Sequence, residues 1–288
     1  MIFGDRNTGV IVQNATGRQG AFHLKLMNDY ARSVGGKGVV AGMAPGKAGQ
    51  VIHGVPIYGS VRDAIREHDA QASVIFVPAA GAGDAIMEAA YAGIEVIVTI
   101  TEHMPVHDTM RAIAYAENCG STVIGPNGPG LLSVGELKLG IMPAHLAQRG
   151  NIGVISRSGT LTYEVVHELT RAGLGQSTIV GIGGDPVVGS TFADVLARFE
   201  EDPETHAVVL IGEVGGALEE EGACATNLPI TAYIAGVTAP PEKRMGHAGA
   251  IVEGGEGDAR SKIRRLTEMG IRVAASPAEI PDIVRGML

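Results

Sequence analysis

The sequence predicts an α/β fold made of two doubly wound domains, each a parallel sheet covered by helices on both faces. Three observations predict it. Short apolar runs rich in Val and Ile alternate with helix-length stretches. The 42 glycines recur at turn positions rather than in repeats. The strand–helix alternation stops and restarts once, near the middle of the chain. A strand buried on both faces reads as a continuous apolar run, and strands that alternate with helices pair in parallel.

In order, Gly9 to Asn14 reads as a first strand, followed by Val39 to Gly42, Ser73 to Pro78, Val96 to Ile100 and Thr122 to Pro126. Helices are expected between them, for example over Asp84 to Ala92 and Thr109 to Glu117. The pattern breaks at Gly125-Pro126-Asn127-Gly128-Pro129-Gly130, and the irregular stretch up to Gly150 reads as a link. A second series starts at Asn151 to Ile155. It continues with strands at Thr178 to Gly181, Ala207 to Ile211, Ile230 to Ile234 and Ile271 to Ala274. The expected boundaries are therefore 1–126, a linker 127–150, and 151–288.

Composition narrows the function classes. The chain has 288 residues, 45% of them hydrophobic and 18% charged, which suits two buried cores in a globular protein. A formal charge of -9 argues against nonspecific nucleic-acid binding, which calls for a basic surface. No apolar run approaches the roughly 20 residues that span a bilayer, so no membrane partner is expected. Cys119 and Cys224 lie far apart without metal-ligand spacing, no metal site is expected, and a reducing compartment fits them. The N-terminus carries no leader pattern, so the expectation is a cytoplasmic protein, or a processed matrix protein.

Two segments of the first domain suggest a ligand. Thr16-Gly17-Arg18-Gln19-Gly20 follows the first strand and opens a helix, where free N–H groups favour phosphate oxygens. It is not a dinucleotide fingerprint: the first glycine is missing, and Val39 to Met43 offers no acid for a ribose hydroxyl. A tight turn that binds nothing is the plain alternative. Gly42 to Ala48 resembles a nucleotide P-loop but has Ala at position 41 and no hydroxyl at Ala48. Lys47 can still meet a phosphate as a point charge.

The second domain offers a different chemistry. His247 lies in Arg244-Met245-Gly246-His247-Ala248-Gly249-Ala250, between small residues that leave an imidazole open to attack phosphorus. Ser156-Arg157-Ser158-Gly159-Thr160 puts hydroxyls at a helix start, and a positive helix end with Ser158 beside it stabilises a phosphoryl dianion. Taken alone, Ser158 reads first as an ordinary N-cap. Glu213 ends an apolar strand between glycines, and a carboxylate there can orient one imidazole nitrogen and free the other. Glu219-Glu220-Glu221 reads as a solvated helix start, and the remaining histidines as surface or helix residues.

With these motifs assembled, the chain resembles the alpha subunits of succinyl-CoA synthetase, the ADP- or GDP-forming succinate–CoA ligases. The likeness runs through Thr16 to Gly20, Pro45-Gly46-Lys47, Thr99 to Glu102, Gly125-Pro126-Asn127, Ser156 to Glu164, Gly181 to Pro186, Gly212-Glu213 and Gly246 to Ala250. It implies an N-terminal Rossmann-like CoA-binding domain and a C-terminal flavodoxin-like ligase domain. Coenzyme A, a substrate, would be held by Thr16, Gly17, Arg18, Gln19, Lys47, Ile100, Thr101 and Glu102. His247 would carry the phosphoryl group, steadied by Glu213, with Ser158 at the phosphate seat and Tyr163 at the acyl site.

The resemblance also implies a beta-subunit partner, in an αβ or α2β2 assembly, that holds most of the Mg-nucleotide site. The other partners would be phosphate and a dicarboxylate, in the tricarboxylic acid cycle. Three departures stand out: Gly128 where the family has cysteine, Asn14 where it has glycine, and a stretch from Glu221 to Tyr233 about four residues short. Gly128 and the short stretch leave open a ligase for malate or itaconate. A CoA-binding protein without catalysis is the reading from another class, and the intact set of His247, Glu213 and Ser158 speaks against it.

Overall fold

A computed structural model describes residues 2–238, 249–250 and 257–288. His247 lies outside the described residues. The chain forms two compact units, one of Phe3–Met142 with Val187–Gly189, the other of Pro143–Pro186 and Ser190–Leu288 with the first two residues.

The first unit runs β1 (Gly9–Gln13), α1 (Arg18–Val34), β2 (Gly38–Met43), β3 (Val51–Ile52), β4 (Val55–Tyr58), α2 (Val61–Glu67) and β5 (Ala72–Ile75). It continues through α3 (Ala79–Tyr91), β6 (Val96–Thr99), α4 (Val106–Asn118), β7 (Thr122–Ile124), β8 (Gly130–Ser133) and β9 (Leu137–Gly140). Its sheet has the order β3-β4-β2-β1-β5-β6-β7. Apart from the small antiparallel β3–β4 pair, the strands are parallel. From β1 the chain winds outward through β2, then crosses back to lay β5 on β1's other side. That reversal makes a crevice at the carboxyl ends of β1 and β5, where ligands of doubly wound sheets collect.

Burial explains the strands: every residue of β1 and β5 is buried, because helices cover both faces. Helix α1 buries Leu24, Met27 and Ala31 along one stripe, and stops at Gly35, whose φ of 69° is left-handed. Helices α3 and α4 begin earlier than their apolar periodicity suggests, directly after Pro78 and Pro105.

The stretch expected as an irregular link is a correction. Residues 130–140 form the antiparallel β8–β9 hairpin, its two strands fully buried, which belongs to the first compact unit. It packs on α1: Gly135 N–H donates to the Tyr30 hydroxyl at 2.7 Å, and Gly140 N–H lies 3.4 Å from the Met27 sulfur.

The second unit runs β10 (Arg149–Ser156), α5 (Gly159–Arg171), β11 (Gln176–Gly181), α6 (Phe192–Glu201), β12 (Ala207–Gly212) and α7 (Leu218–Ala223). It ends with β13 (Ile230–Ile234), α8 (Ala259–Glu268), β14 (Arg272–Ala274) and α9 (Ile280–Arg285). Five parallel strands lie in the order β14-β13-β12-β10-β11. Counted along the chain this is the 2-1-3-4-5 order of flavodoxin-like sheets, and its crevice falls between β10 and β12. Helix α6 is fixed by a full capping box between Thr191 and Asp194, and α8 by Asp258, whose carboxylate accepts from two backbone N–H groups. Both units are therefore doubly wound α/β. No helix among the described residues is long and apolar enough to cross a membrane.

Candidate active site

In the first unit the predicted residues gather on the carboxyl edge of the sheet. The chain leaves β1 through Asn14, which sits in left-handed backbone (φ 61°) and donates its side-chain amide to the Phe76 carbonyl at 2.9 Å. This bond ties the β1 loop to the β5 loop across the crevice. Gly17 N–H donates to the Asn14 carbonyl at 3.0 Å and closes the turn. Gly17 is the N-cap of α1, and no side chain caps it, so the first N–H groups of that helix are left for a ligand. Thr16 is partly exposed, and Arg18 and Gln19 are exposed.

Gly20 has a separate, steric reason. A Cβ there would lie 2.1 Å from the Asn14 carbonyl oxygen, so the turn closes only on glycine.

Lys47 stands on the turn after β2, exposed, with Gly46 left-handed beside it (φ 72°). Ile100, Thr101 and Glu102 follow β6. The Thr101 hydroxyl donates to the Val77 carbonyl at 2.6 Å, which joins the β6 loop to the β5 loop, and Glu102 is exposed. The loops after β1, β5 and β6 are thus stitched together by side chains, with Lys47 on the flank.

The second unit builds its candidate site where β10 and β12 lie side by side, Ser156 opposite Ile211. Ser158 is the N-cap of α5, its hydroxyl accepting from Leu161 N–H at 3.4 Å. The long bond and the partly exposed following turn leave this helix end free to face an anion. Glu213 follows β12 and is buried, like Ser158. Tyr163 lies one turn further along α5, half-buried, and burial pushes its hydroxyl pKa up, so it stays a neutral donor.

Between Ser158 and Glu213 stands Arg157, buried to 3% exposure. Its Nη1 donates to the Gly215 carbonyl at 2.9 Å and lies 3.3 Å from Glu219 Oε1, while its Nη2 is 3.7 Å from Glu213 Oε1. Glu219 is fully buried, pairs with the equally buried Lys262, and accepts the Glu213 backbone N–H at 3.1 Å. The reading of Glu219-Glu220-Glu221 as a solvated helix start is therefore corrected for its first two residues, both buried. Two cations hold Glu219 inside the fold, and only Glu221 of the three is exposed.

Residues 5–103 match the family model for a CoA binding domain, and residues 155–272 the model for a CoA-ligase. The alpha 2 subunit of the ADP-forming succinate–CoA ligase of Archaeoglobus fulgidus is 53% identical over 290 residues, which cover 100% of this chain and 99% of that protein. The chain belongs to the alpha-subunit family of succinate–CoA ligases. The Staphylococcus aureus alpha subunit is 51% identical over 283 residues, covering 97% of this chain and 92% of that one.

Solved structures agree in fold. ATP citrate lyase from Methanothrix soehngenii, in complex with citrate and coenzyme A, aligns over the whole chain with a TM-score of 0.87 at 24% identity. An acetyl-coenzyme A synthetase from Candidatus Korarchaeum cryptofilum aligns over 93% with a TM-score of 0.74 at 23% identity. The chain spans about half the length of these solved chains, 52% and 58%, and at such identity the likeness concerns the fold.

Several residues of this alpha-subunit family member escaped the sequence reading. The Phe76 and Val77 carbonyls became visible only once β5 lay beside β1. Lys262 left a signal: with Ala259 and Leu266 it falls on the buried stripe of α8, an odd place for a lysine without a buried acid. His23, expected as a surface or helix residue, lies on α1, where it is half-buried and stacks parallel to Phe76, with ring centroids 5.5 Å apart. Its Nδ1 is buried with no hydrogen-bond partner among the described residues.

Proposed function

We propose that this chain is the alpha subunit of a succinate–CoA ligase, interconverting succinyl-CoA, phosphate and a nucleoside diphosphate with succinate, coenzyme A and the triphosphate. The observation that carries the reading is the 53% identity over essentially full length to a ligase alpha subunit. The two carboxyl-edge crevices support it.

Coenzyme A is assigned to the first unit. The open N-terminus of α1 with Thr16, Gly17, Arg18 and Gln19, and the Lys47 ammonium, face phosphate oxygens, while Ile100, Thr101 and Glu102 line the far side of the crevice. The chemistry is assigned to the second unit. Phosphate attacks the thioester carbonyl, the thiolate of coenzyme A leaves, and an acyl phosphate remains. His247 Nε2 then attacks phosphorus and the succinate carboxylate leaves. Glu213 orients the ring and takes its charge, and the α5 N-terminus at Ser158 balances the phosphoryl oxygens. Tyr163 stands at the acyl end. The phosphohistidine is discharged to a nucleoside diphosphate held, with its magnesium, mainly by a beta subunit. We place the assembly in the cytoplasm.

Gly128 and the six-residue α7 bear on the choice of acid. The test is a panel with the chain co-purified with its beta subunit, in which the acyl-CoA formed from succinate, malate and itaconate is measured against ATP consumed. Succinate should give the highest kcat/KM. A preference for malate or itaconate would move the assignment to that acid, and no turnover with any of the three would refute a dicarboxylate ligase.

A further inference from the structure

We infer that Arg157 is a positioning residue for phosphoryl transfer, holding Glu213 and the chain at Gly249 in one fixed arrangement, itself locked by Glu219 and Lys262. The inference rests on the reading of His247 as the phosphoryl carrier with Glu213 as its orienting carboxylate.

The geometry points to Arg157 because each of its nitrogens has a separate task. Nη1 holds the Gly215 carbonyl at 2.9 Å and meets Glu219 at 3.3 Å, while Nη2 faces Glu213 at 3.7 Å. A Cβ built on Gly249 would lie 2.8 Å from that same Nη2, and 2.9 Å from the Gly184 carbonyl oxygen. Gly249 N–H in turn donates to the Gly184 carbonyl at 3.1 Å. The guanidinium therefore meets the orienting carboxylate and also lies against the backbone two residues beyond His247, where the Gly184 carbonyl leaves no room for a side chain.

The lock comes from behind. Lys262 Nζ also donates to the Gly215 carbonyl at 2.9 Å and pairs with Glu219, and Glu219 accepts the Glu213 backbone N–H at 3.1 Å. Two cations and two carboxylates thus fix the Glu213–Gly215 corner from both its side chain and its backbone. A buried four-charge arrangement is a poor way to gain stability alone, because desolvation offsets most of the attraction. Its separate directional bonds suit orientation. A lysine cannot reproduce them, since it lacks the planar fork.

The test is the rate of base-stable labelling at His247 by γ-labelled ATP, with the chain co-purified with its beta subunit, in a double-mutant cycle. Arg157→Lys should slow labelling between about 10- and 100-fold, the scale of a misplaced reacting group, with coenzyme A affinity unchanged. The Arg157→Lys/Glu213→Gln double variant should be slowed by less than the product of the two singles, because part of the effect of Arg157 runs through Glu213. Labelling of Arg157→Lys at the wild-type rate, or slowing in the double variant equal to the product of the singles, overturns the inference. If Arg157→Lys does not fold, Lys262→Met takes its place in the same cycle and must show the same non-additivity. Absence of base-stable label in the wild-type complex would instead defeat the phosphohistidine reading on which the inference rests.

Discussion

Gly20 shows how one missing methyl group decides a binding turn. A side chain there would sit 2.1 Å from the Asn14 carbonyl, so Gly20→Ala should open the β1–α1 turn and weaken coenzyme A binding at least about tenfold, the scale of a lost close backbone approach with its hydrogen bonds. Isothermal titration measures it. Lys47→Ala should weaken the same binding less, and the difference should shrink at high salt, since Lys47 is exposed.

His23 and Lys138 give the first unit a pH signature. Burial, and then the charge of Lys138, lower the His23 pKa to about 4; burial lowers that of Lys138 to about 8. In each case the unfolded chain holds more protons than the folded one between the folded value and the ordinary one. Stability is therefore lost as pH falls from 6.5 towards 4, and rises with pH from about 8 to 10.5. Lys138→Met should flatten the upper window in urea melts and raise the His23 pKa followed by NMR. Neither residue was legible in the sequence. His23 looks like any helical histidine, and Lys138 looked like a loop lysine because its hairpin has only four-residue strands.

At the level of elements, the long ones were legible and the short ones were not. Val/Ile runs such as β12 (AVVLIG, all buried) announce themselves, since a strand covered on both faces has no polar side to confuse the pattern. The β3–β4 and β8–β9 pairs are too short for periodicity, and Gly and Pro near them read as loop. Helix α7 was legible as a helix start, but the burial of Glu219 depends on Lys262, which is 43 residues away in sequence. That pairing makes a stability prediction. Glu219→Leu or Lys262→Met alone strands a buried charge and should cost about 3–5 kcal/mol in urea unfolding. The double replacement keeps the remaining Arg157–Glu213 pair balanced and should cost less than either. A double variant destabilised by the sum of the singles would mean that the charges act independently.

For the whole molecule, the site motifs stood in the sequence in order, while what joins them did not. Asn14, just before Thr16, meets the β5 loop only because β5 lies beside β1, Thr101 meets it only because β6 lies beside β5, and Arg157 reaches Glu213 only because β12 lies beside β10. Strand order is a property of the folded sheet, and nothing in a linear run of Val and Ile specifies it. Both crevices fall where that order reverses, and the two proposed chemistries are assigned to that same architectural position.

The proposed phosphate carrier of the chain is His247. This assignment is tested most directly by incubating the chain and its beta subunit with γ-labelled ATP, then mapping the label after alkaline and after acid treatment. One label per alpha chain is expected, stable in base and lost in acid, on the peptide containing His247. It should be discharged by succinate with coenzyme A and absent in His247→Ala, which still binds coenzyme A. Label on another peptide, acid-stable label, or labelling of His247→Ala would contradict it.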